Sequence, residues 1–145
     1  MANKPPVKLD YAVLCDEIRK ESNGKLFLIG VYTGDILVSD FPAQLALSAL
    51  LHGFAYEKGE YLFEIRYRLA FADSEKTVVQ AKGKIQAQRS APSEVSIPAL
   101  RVPIEIVEPA RLDLAYRLSG GRWKTILSKT IRLNPASTSE LVQPS

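Results

Sequence analysis

The sequence has few of the residues that carry catalytic or metal chemistry. Its 145 residues include one cysteine, Cys15, and one histidine, His52. A single cysteine excludes an intramolecular disulfide, and a single histidine excludes a metal site built on two histidines. The glycines form neither a GxxxxGK[ST] nor a GxGxxG pattern, so no phosphate-binding loop is predicted. We therefore expect a non-enzymatic protein with no metal and no cofactor.

Long apolar runs are also missing. No stretch approaches the roughly 18 apolar residues of a membrane-spanning helix, and no basic segment followed by an apolar one opens the chain. This pattern predicts neither a membrane span nor a signal peptide. With one cysteine, a reducing cytoplasm is the simplest expectation.

The composition is that of an ordinary globular domain, with 46% hydrophobic and 24% charged residues. The net charge of +3 is a small excess, whereas a nucleic-acid footprint needs positive charge gathered on one surface. The length fits one domain. We predict a flexible leader over residues 1–6, a single domain over 7–133 and a flexible polar tail over 134–145.

Residues 9–42 predict a β-hairpin. Asn23-Gly24 is a strong signal for a two-residue type I′ turn, which makes paired positions sum to about 47 and sets Cys15 opposite Tyr32. Alternation places Val7, Leu9, Tyr11, Val13 and Cys15 on one face of the first strand. The second strand is apolar on both faces, which predicts a central, covered position. A short helical turn over residues 16–21 is the alternative.

The same region carries a resemblance. The runs CDEIR at 15–19, NGKLFLIGVY at 23–32 and FP at 41–42 resemble a bacterial family of small uncharacterised proteins, DUF6941. The similarity is strong over the first third of the chain and covers the remainder in outline. It implies a bacterial source and a compact β-domain. Because the family has no established activity, it implies no catalytic or binding residues.

The rest of the chain predicts further strands. Residues 61–71 alternate six large apolar side chains with smaller or charged ones, and 77–89 return with small inward residues. Residues 44–56 fit a strand better than a helix. Three prolines predict a loop over 90–103 with an edge strand at 95–97, before a short run at 104–107. Residues 111–133 predict a second hairpin, pairing Leu114 with Leu127 and Leu118 with an inward Trp123.

Eight or nine short strands with no long helix predict an all-β fold. We expect a two-sheet antiparallel sandwich, immunoglobulin-like or C2-like, with a small β-barrel as the alternative.

Three groups of reactive residues have ordinary structural explanations. His52 is interpreted as a strand residue at a sheet rim, because no nucleophile or second histidine accompanies it. Cys15 is interpreted as a buried structural thiol. Five acids could serve a calcium site, but no spaced Asp loop is present, and solvated positions are favoured. These acids are Asp10, Asp16, Glu17, Asp35 and Asp40.

One surface stands out as a candidate binding face. Arg66 and Arg68 share a face with Lys82 and Lys84, the sequence offers no exposed aromatic among them, and Arg117, Arg122 and Lys124 could join. Pairing sums near 148 would set Arg66 opposite Lys82, and a slip of two residues would instead pair Glu64 with Lys82 and relieve the repulsion. The face is either a solvated charged surface or a phosphate- or acid-binding one.

These observations leave three functional hypotheses. The first is a non-enzymatic module that contacts another protein or itself. The second is a nucleic-acid or polyanion binder using the basic face. The third is a small-ligand or enzymatic pocket at one end of the sandwich.

Overall fold

The computed structural model describes residues 5–89 and 92–135, and these form two β-sheets. One sheet has the order β2-β1-β4-β7 and the other β3-β9-β8-β5-β6. All pairings are antiparallel except that of β3 with β9, which is parallel, so the expectation of a wholly antiparallel sandwich is corrected there. The strands are β1 (Val7–Lys20), β2 (Leu26–Val31), β3 (Ile36–Val38), β4 (Ala43–Ala55), β5 (Gly59–Ala70), β6 (Glu75–Ala87), β7 (Ser93–Ile106), β8 (Ala110–Leu118) and β9 (Lys124–Leu133).

The core lies between the two sheets, as an all-β sandwich requires. Ile65, Tyr67 and Leu69 of β5 are buried, and Tyr61 and Phe63 pack against them, which confirms the predicted inward face of that strand. Small residues of β6 lie opposite these large ones. Gly83 pairs with Phe63, and a Cβ at Gly83 would lie 2.9 Å from the ring.

The first hairpin closes with a three-residue loop, so the predicted two-residue turn is wrong. Glu21 N donates to Lys25 O at 2.8 Å, and Gly24 N donates to Glu21 O at 3.0 Å. Gly24 has a φ of 88°, which is the left-handed residue that follows a type I turn in such loops. Paired positions therefore sum to an even number, and Cys15 faces Val31 rather than Tyr32. The helical alternative is also wrong, because β1 continues to Lys20.

Strand β2 lies at the edge of its sheet, which contradicts the predicted central position. Phe27, Ile29 and Val31 are 53%, 43% and 45% exposed. A strand with two apolar faces is typical of the middle of a covered sheet, but here one of the faces is open to solvent.

A bulge between Leu9 and Tyr11 reverses the faces of β1. Leu9 is buried, whereas Tyr11 is 49% exposed, so the single face predicted from Val7 to Cys15 is wrong beyond Leu9. One inserted residue is enough to exchange the two faces of a strand. Cys15 is nevertheless buried, as predicted.

Strand β7 occupies most of the segment predicted as a loop. It is an edge strand, where prolines such as Pro98 and Pro103 are tolerated because the outer side of the backbone needs no N–H donor. A bulge gives Arg101 a φ of 45°. Ser48 Oγ accepts from Arg101 N at 2.9 Å and donates to Asp16 O at 3.4 Å.

The predicted pairing of the second hairpin is confirmed at Leu114 and fails nearer the turn. Leu114 pairs with Leu127 as predicted, but a bulge between Leu114 and Ala115 shifts the register. Trp123 therefore does not pair with Leu118 and does not point inward. Residues 44–56 are a strand, as favoured. The predicted leader and tail fall largely outside the described residues.

Candidate interaction surfaces

The four cations of the predicted basic face, Arg66, Arg68, Lys82 and Lys84, lie on the outer side of β5 and β6. Lys82 lies opposite Glu64, Arg66 opposite Gln80 and Lys84 opposite Leu62. This is the slipped register, in which an acid rather than an arginine faces Lys82, so the pairing sums near 148 are wrong. The physical reason is that unlike charges in directly opposed positions are favourable.

Most charges on this face are neutralised by neighbours. Arg117 Nη2 lies 3.0 Å from Glu64 Oε1, and Gln80 Nε2 donates to the other oxygen of the same carboxylate at 2.9 Å. Arg68 pairs with Glu75 and Lys84 with Glu60, both at 3.7 Å. The face is therefore a mixed-charge surface rather than an unbroken basic stripe.

Arg66 is an exception on this face, as is Lys82, because neither forms an ion pair within the described residues and Glu64, opposite Lys82, is bonded to Arg117 and Gln80. Arg66 has no carboxylate partner among the described residues, and its Nε is buried without a hydrogen-bond partner there. Its guanidinium carbon lies 4.1 Å from the Trp123 ring centroid, and that of Arg117 lies 4.6 Å away. Burial, then the charges of Arg68 and Arg117, lower the pKa of Arg66. Arg66 is thus a crowded cation held on an aromatic platform.

The absence of an aromatic from this face was predicted wrongly, because Trp123 is part of it. A bulge in β9 is the reason, since the extra residue, Ile126, shifts the pairing of the residues before it. Of the further residues considered, Arg117 joins the face. Lys124 does not, because it pairs with the inward-facing Tyr116 and lies beside Lys8 and Tyr56.

The outer face of the other sheet is apolar toward the β2 edge. Phe27 and Ile29 lie opposite Arg19 and Glu17 in the β1–β2 ladder, so their side chains share one face. Val31 is also exposed, and it follows Gly30, whose φ of 71° interrupts the regular alternation of the strand. This row, Phe27, Ile29 and Val31, is called the β2 row below. Sequence reasoning found these residues but placed them inside the molecule.

His52 lies within the outer face of the same sheet, between Tyr11 of β1 and Ser96 of β7, and not at a rim. Its ring stacks on Tyr11 at 5.1 Å and meets Phe54 edge-on at 5.6 Å. Its Nε2 lies 3.6 Å from Glu94 Oε2. The ring therefore works here as one member of an aromatic cluster.

The remaining candidate residues have local partners. Burial raises the pKa of the Cys15 thiol, which keeps it in its unreactive form. Asp16 accepts from the Tyr32 hydroxyl at 2.8 Å, and Asp35 pairs with Arg132 at 2.8 Å. In residues 5–89 and 92–135, no group of three or more histidines, cysteines or carboxylates is arranged to hold a metal.

A cleft runs along the open side of the sandwich, between edge strands β6 and β7. It encloses about 280 Å³ and is lined mainly by apolar residues, including Val79, Ala81, Ile97 and Ala99. Tyr67 also lines it, and its buried hydroxyl has no hydrogen-bond partner among the described residues. The predicted pocket position, at one end of the sandwich, differs from this lateral one.

Comparison with known proteins identifies a family. A family model, described as a family of unknown function (DUF6941), matches residues 10–109. This span is more than half of the chain, and the chain belongs to that family. No curated protein matches it. Within the part of the chain that the structure describes, no helix is both long and apolar enough to cross a membrane.

Proposed function

We propose that this member of a family of unknown function is a non-enzymatic β-sandwich that works by binding another protein chain or a second copy of itself. The binding surface is the open edge of β2 together with the β2 row. The observation that carries the proposal is that β2 exposes a row of large apolar side chains at its edge, whereas the other edge strands are short or carry prolines or lysines.

Exposed strand edges are natural pairing sites, and proteins usually protect them with short strands, prolines or lysines. Strand β3 has three residues, β7 carries Pro98 and Pro103, and β6 presents Lys82 and Lys84. Strand β2 has no proline and no lysine over its six residues, LFLIGV, and its one irregularity is Gly30, at a φ of 71°. Instead it exposes large apolar side chains at alternate positions, which is the form that strand addition uses.

A photo-cross-linking phenylalanine analogue tests this surface. The analogue replaces Phe27 in one variant and Leu62 in a matched control, since Leu62 is 56% exposed on the other sheet. We expect position 27 to form protein adducts, either in the purified protein or in a lysate of the source cells. We expect none from position 62. The adducts should disappear when Ile29→Lys is added. Equal labelling from both positions would refute the proposal.

A second function, binding to a polyanion or an acidic ligand, is favoured by Arg66. It is a cation without a carboxylate partner in the described residues, and it is already positioned by Trp123. Phosphate contacts weaken as salt rises. We therefore expect any oligonucleotide binding to be strongest at low salt and lost in Arg66→Gln, with Lys84→Gln as the control because Lys84 is paired. A protein that binds no oligonucleotide at low salt would exclude this function.

A further inference from the structure

We propose that the cleft between β6 and β7 binds a small organic acid. Its apolar body fills the cleft, its carboxylate lies at the mouth near Lys82, and its inner end carries an oxygen atom that forms a hydrogen bond with Tyr67. Strand β7 lies at the opposite edge of the four-stranded sheet from β2. The inference therefore concerns a different surface and does not rest on the proposed function.

Small side chains on two edge strands leave the cleft open. Strands β6 and β7 each end one of the two sheets, and Ala81 of β6 and Ala99 of β7 both line the space between them. Its volume of about 280 Å³ is nearly twice the ~150 Å³ of an apolar cavity that holds one benzene ring, and it is close to the lower limit of ordinary ligand sites. The space therefore suits an apolar body of roughly ten carbon atoms.

A β-bulge shapes the mouth of the cleft. Strand β7 has an extra residue where it passes Ser48 of β4, and Arg101 has a φ of 45° there. The buried Ser48 hydroxyl holds the bulge by accepting from Arg101 N at 2.9 Å. Leu100, the preceding residue, is 58% exposed and lines the cleft. Bulges are common beside binding sites because they redirect side chains, and this one sets a large apolar side chain at the entrance.

Tyr67 supplies a polar group on the inner wall. It lines the cleft and is 1% exposed, and its hydroxyl has no hydrogen-bond partner among the described residues. Buried polar groups ordinarily have such a partner. Burial raises the pKa of this hydroxyl, which keeps it protonated and able to donate. An oxygen atom at the inner end of a ligand supplies the acceptor that the described part of the chain does not.

Lys82 supplies an unpaired positive charge at the mouth. It is exposed and lines the cleft, and it forms no ion pair within the described residues, because Glu64, opposite it, is bonded to Arg117. Arg66 also borders the cleft, but its guanidinium lies against Trp123. An anion is the complementary partner for this charge. A single lysine matches a singly charged carboxylate, whereas phosphate sites gather several donors.

Two probe acids of equal length test the site by isothermal titration calorimetry on the full chain. One is decanoate, and the other is its analogue in which a hydroxyl replaces the terminal methyl group. We expect each to bind at one site per chain, with a dissociation constant in the micromolar range. A chain that binds neither acid overturns the inference.

Tyr67→Phe tests the inner contact. The variant should weaken binding of the hydroxy analogue about tenfold, because the hydroxyl of the ligand is then buried without a partner. Binding of decanoate should be unchanged, since decanoate has no oxygen at that end. A purely structural effect would instead weaken both acids equally. Equal losses for the two acids, or no loss for the analogue, would overturn the contact with Tyr67.

Lys82→Gln tests the contact at the mouth. The variant should weaken both acids by about two- to fivefold, which is the usual range for an exposed ion pair. Lys84→Gln is the matched control and should leave both affinities unchanged, because Lys84 already pairs with Glu60 at 3.7 Å. Equal effects of the two substitutions would mean that general surface charge attracts the acids, and would overturn the role of Lys82.

Ala81→Phe tests the location of the site. Ala81 is exposed on an edge strand, so this variant keeps its fold, which circular dichroism checks, and its ring fills part of the cleft. Both acids should lose their binding. Ala72→Phe, at an exposed position after β5, is the control and should bind as the wild type does. Binding that survives Ala81→Phe overturns the assignment of the cleft.

Discussion

Two buried tyrosines give the sharpest test of how the two sheets are held together. The Tyr116 hydroxyl donates to Leu9 O and accepts from Leu9 N, both at 3.3 Å, and so bridges β8 to β1 across the core. The Tyr67 hydroxyl is equally enclosed but has no hydrogen-bond partner among the described residues. Both residues are at most 4% exposed. Replacing each with phenylalanine removes one oxygen atom from two similar environments.

The two substitutions should change the free energy of unfolding differently: Tyr116→Phe should lower it, and Tyr67→Phe should not. Tyr116→Phe leaves the Leu9 backbone groups without their tyrosine partner, and an unsatisfied buried group costs about 1–3 kcal/mol. Tyr67→Phe removes a hydroxyl that gains nothing in the folded state, so the free energy of unfolding should stay constant or rise by up to about 1 kcal/mol. We therefore expect a difference near 2 kcal/mol between the variants, by the same reasoning.

Urea unfolding followed by circular dichroism measures both values. The slopes of the two transitions should match, because the exposed area is nearly unchanged. Equal destabilisation by the two substitutions would refute the reasoning, since it would mean that both hydroxyls make hydrogen bonds of equal strength. A Tyr67→Phe variant that is the less stable of the two would refute it as well.

Three further predictions follow. Gly24→Ala should lower the free energy of unfolding by about 1 kcal/mol, because a Cβ there meets no atom but the φ of 88° is strained for alanine. Gly34→Ala is the control and should leave the free energy of unfolding unchanged. Chemical denaturation compares the two variants, and equal costs would contradict the loop geometry. Gly83→Val should destabilise more than Gly24→Ala, because its side chain must displace the Phe63 ring, and a more stable variant in a thermal melt would contradict that packing. Burial raises the pKa of Tyr67, and burial with the bond to Asp16 raises the pKa of Tyr32 to about 12. The unfolded chain therefore loses these protons first, above about pH 10, and the free energy of unfolding should fall as the pH rises further. A free energy of unfolding that stays constant across this range would contradict the burial.

The sequence was informative wherever strict alternation continued without interruption. The inward face of β5 and the pairing of Leu114 with Leu127 follow from period-two burial alone. The errors begin at bulges. An extra residue near Asp10 turned Tyr11 outward, and another at Ile126 brought Trp123 to the basic face. A bulge leaves almost no local signal, because either parity of these residues is chemically acceptable.

The position of β2 could not be derived for a different reason. Leu26 to Val31 are apolar on both faces, and this pattern is the same for a covered strand and for an edge strand that keeps one face for a partner. The prolines of β7 were likewise ambiguous, since an edge strand tolerates them and a loop favours them. What distinguishes these cases is the order of strands in the sheet, which depends on pairings between distant segments.

The basic face was predicted in outline and not in detail. Four of its cations lie where alternation placed them, but the ion pairs of this face join β5 to β6, through Arg68 with Glu75 and Lys84 with Glu60, and β5 to β8, through Glu64 with Arg117. Only the assembled sheet shows that Arg66 lacks a carboxylate partner in the described residues while Arg68 and Lys84 do not.

Amide hydrogen exchange at Leu28 tests the role of the β2 edge most directly. In dilute protein its N–H faces solvent and should exchange rapidly, whereas the N–H of Ile29, which faces β1, should be protected and serves as the internal reference. In the associated protein we predict that Leu28 exchange slows markedly while the exchange of Ile29 changes little. Rapid exchange at Leu28 in a sample shown to be associated would contradict the assignment of β2 as the binding edge.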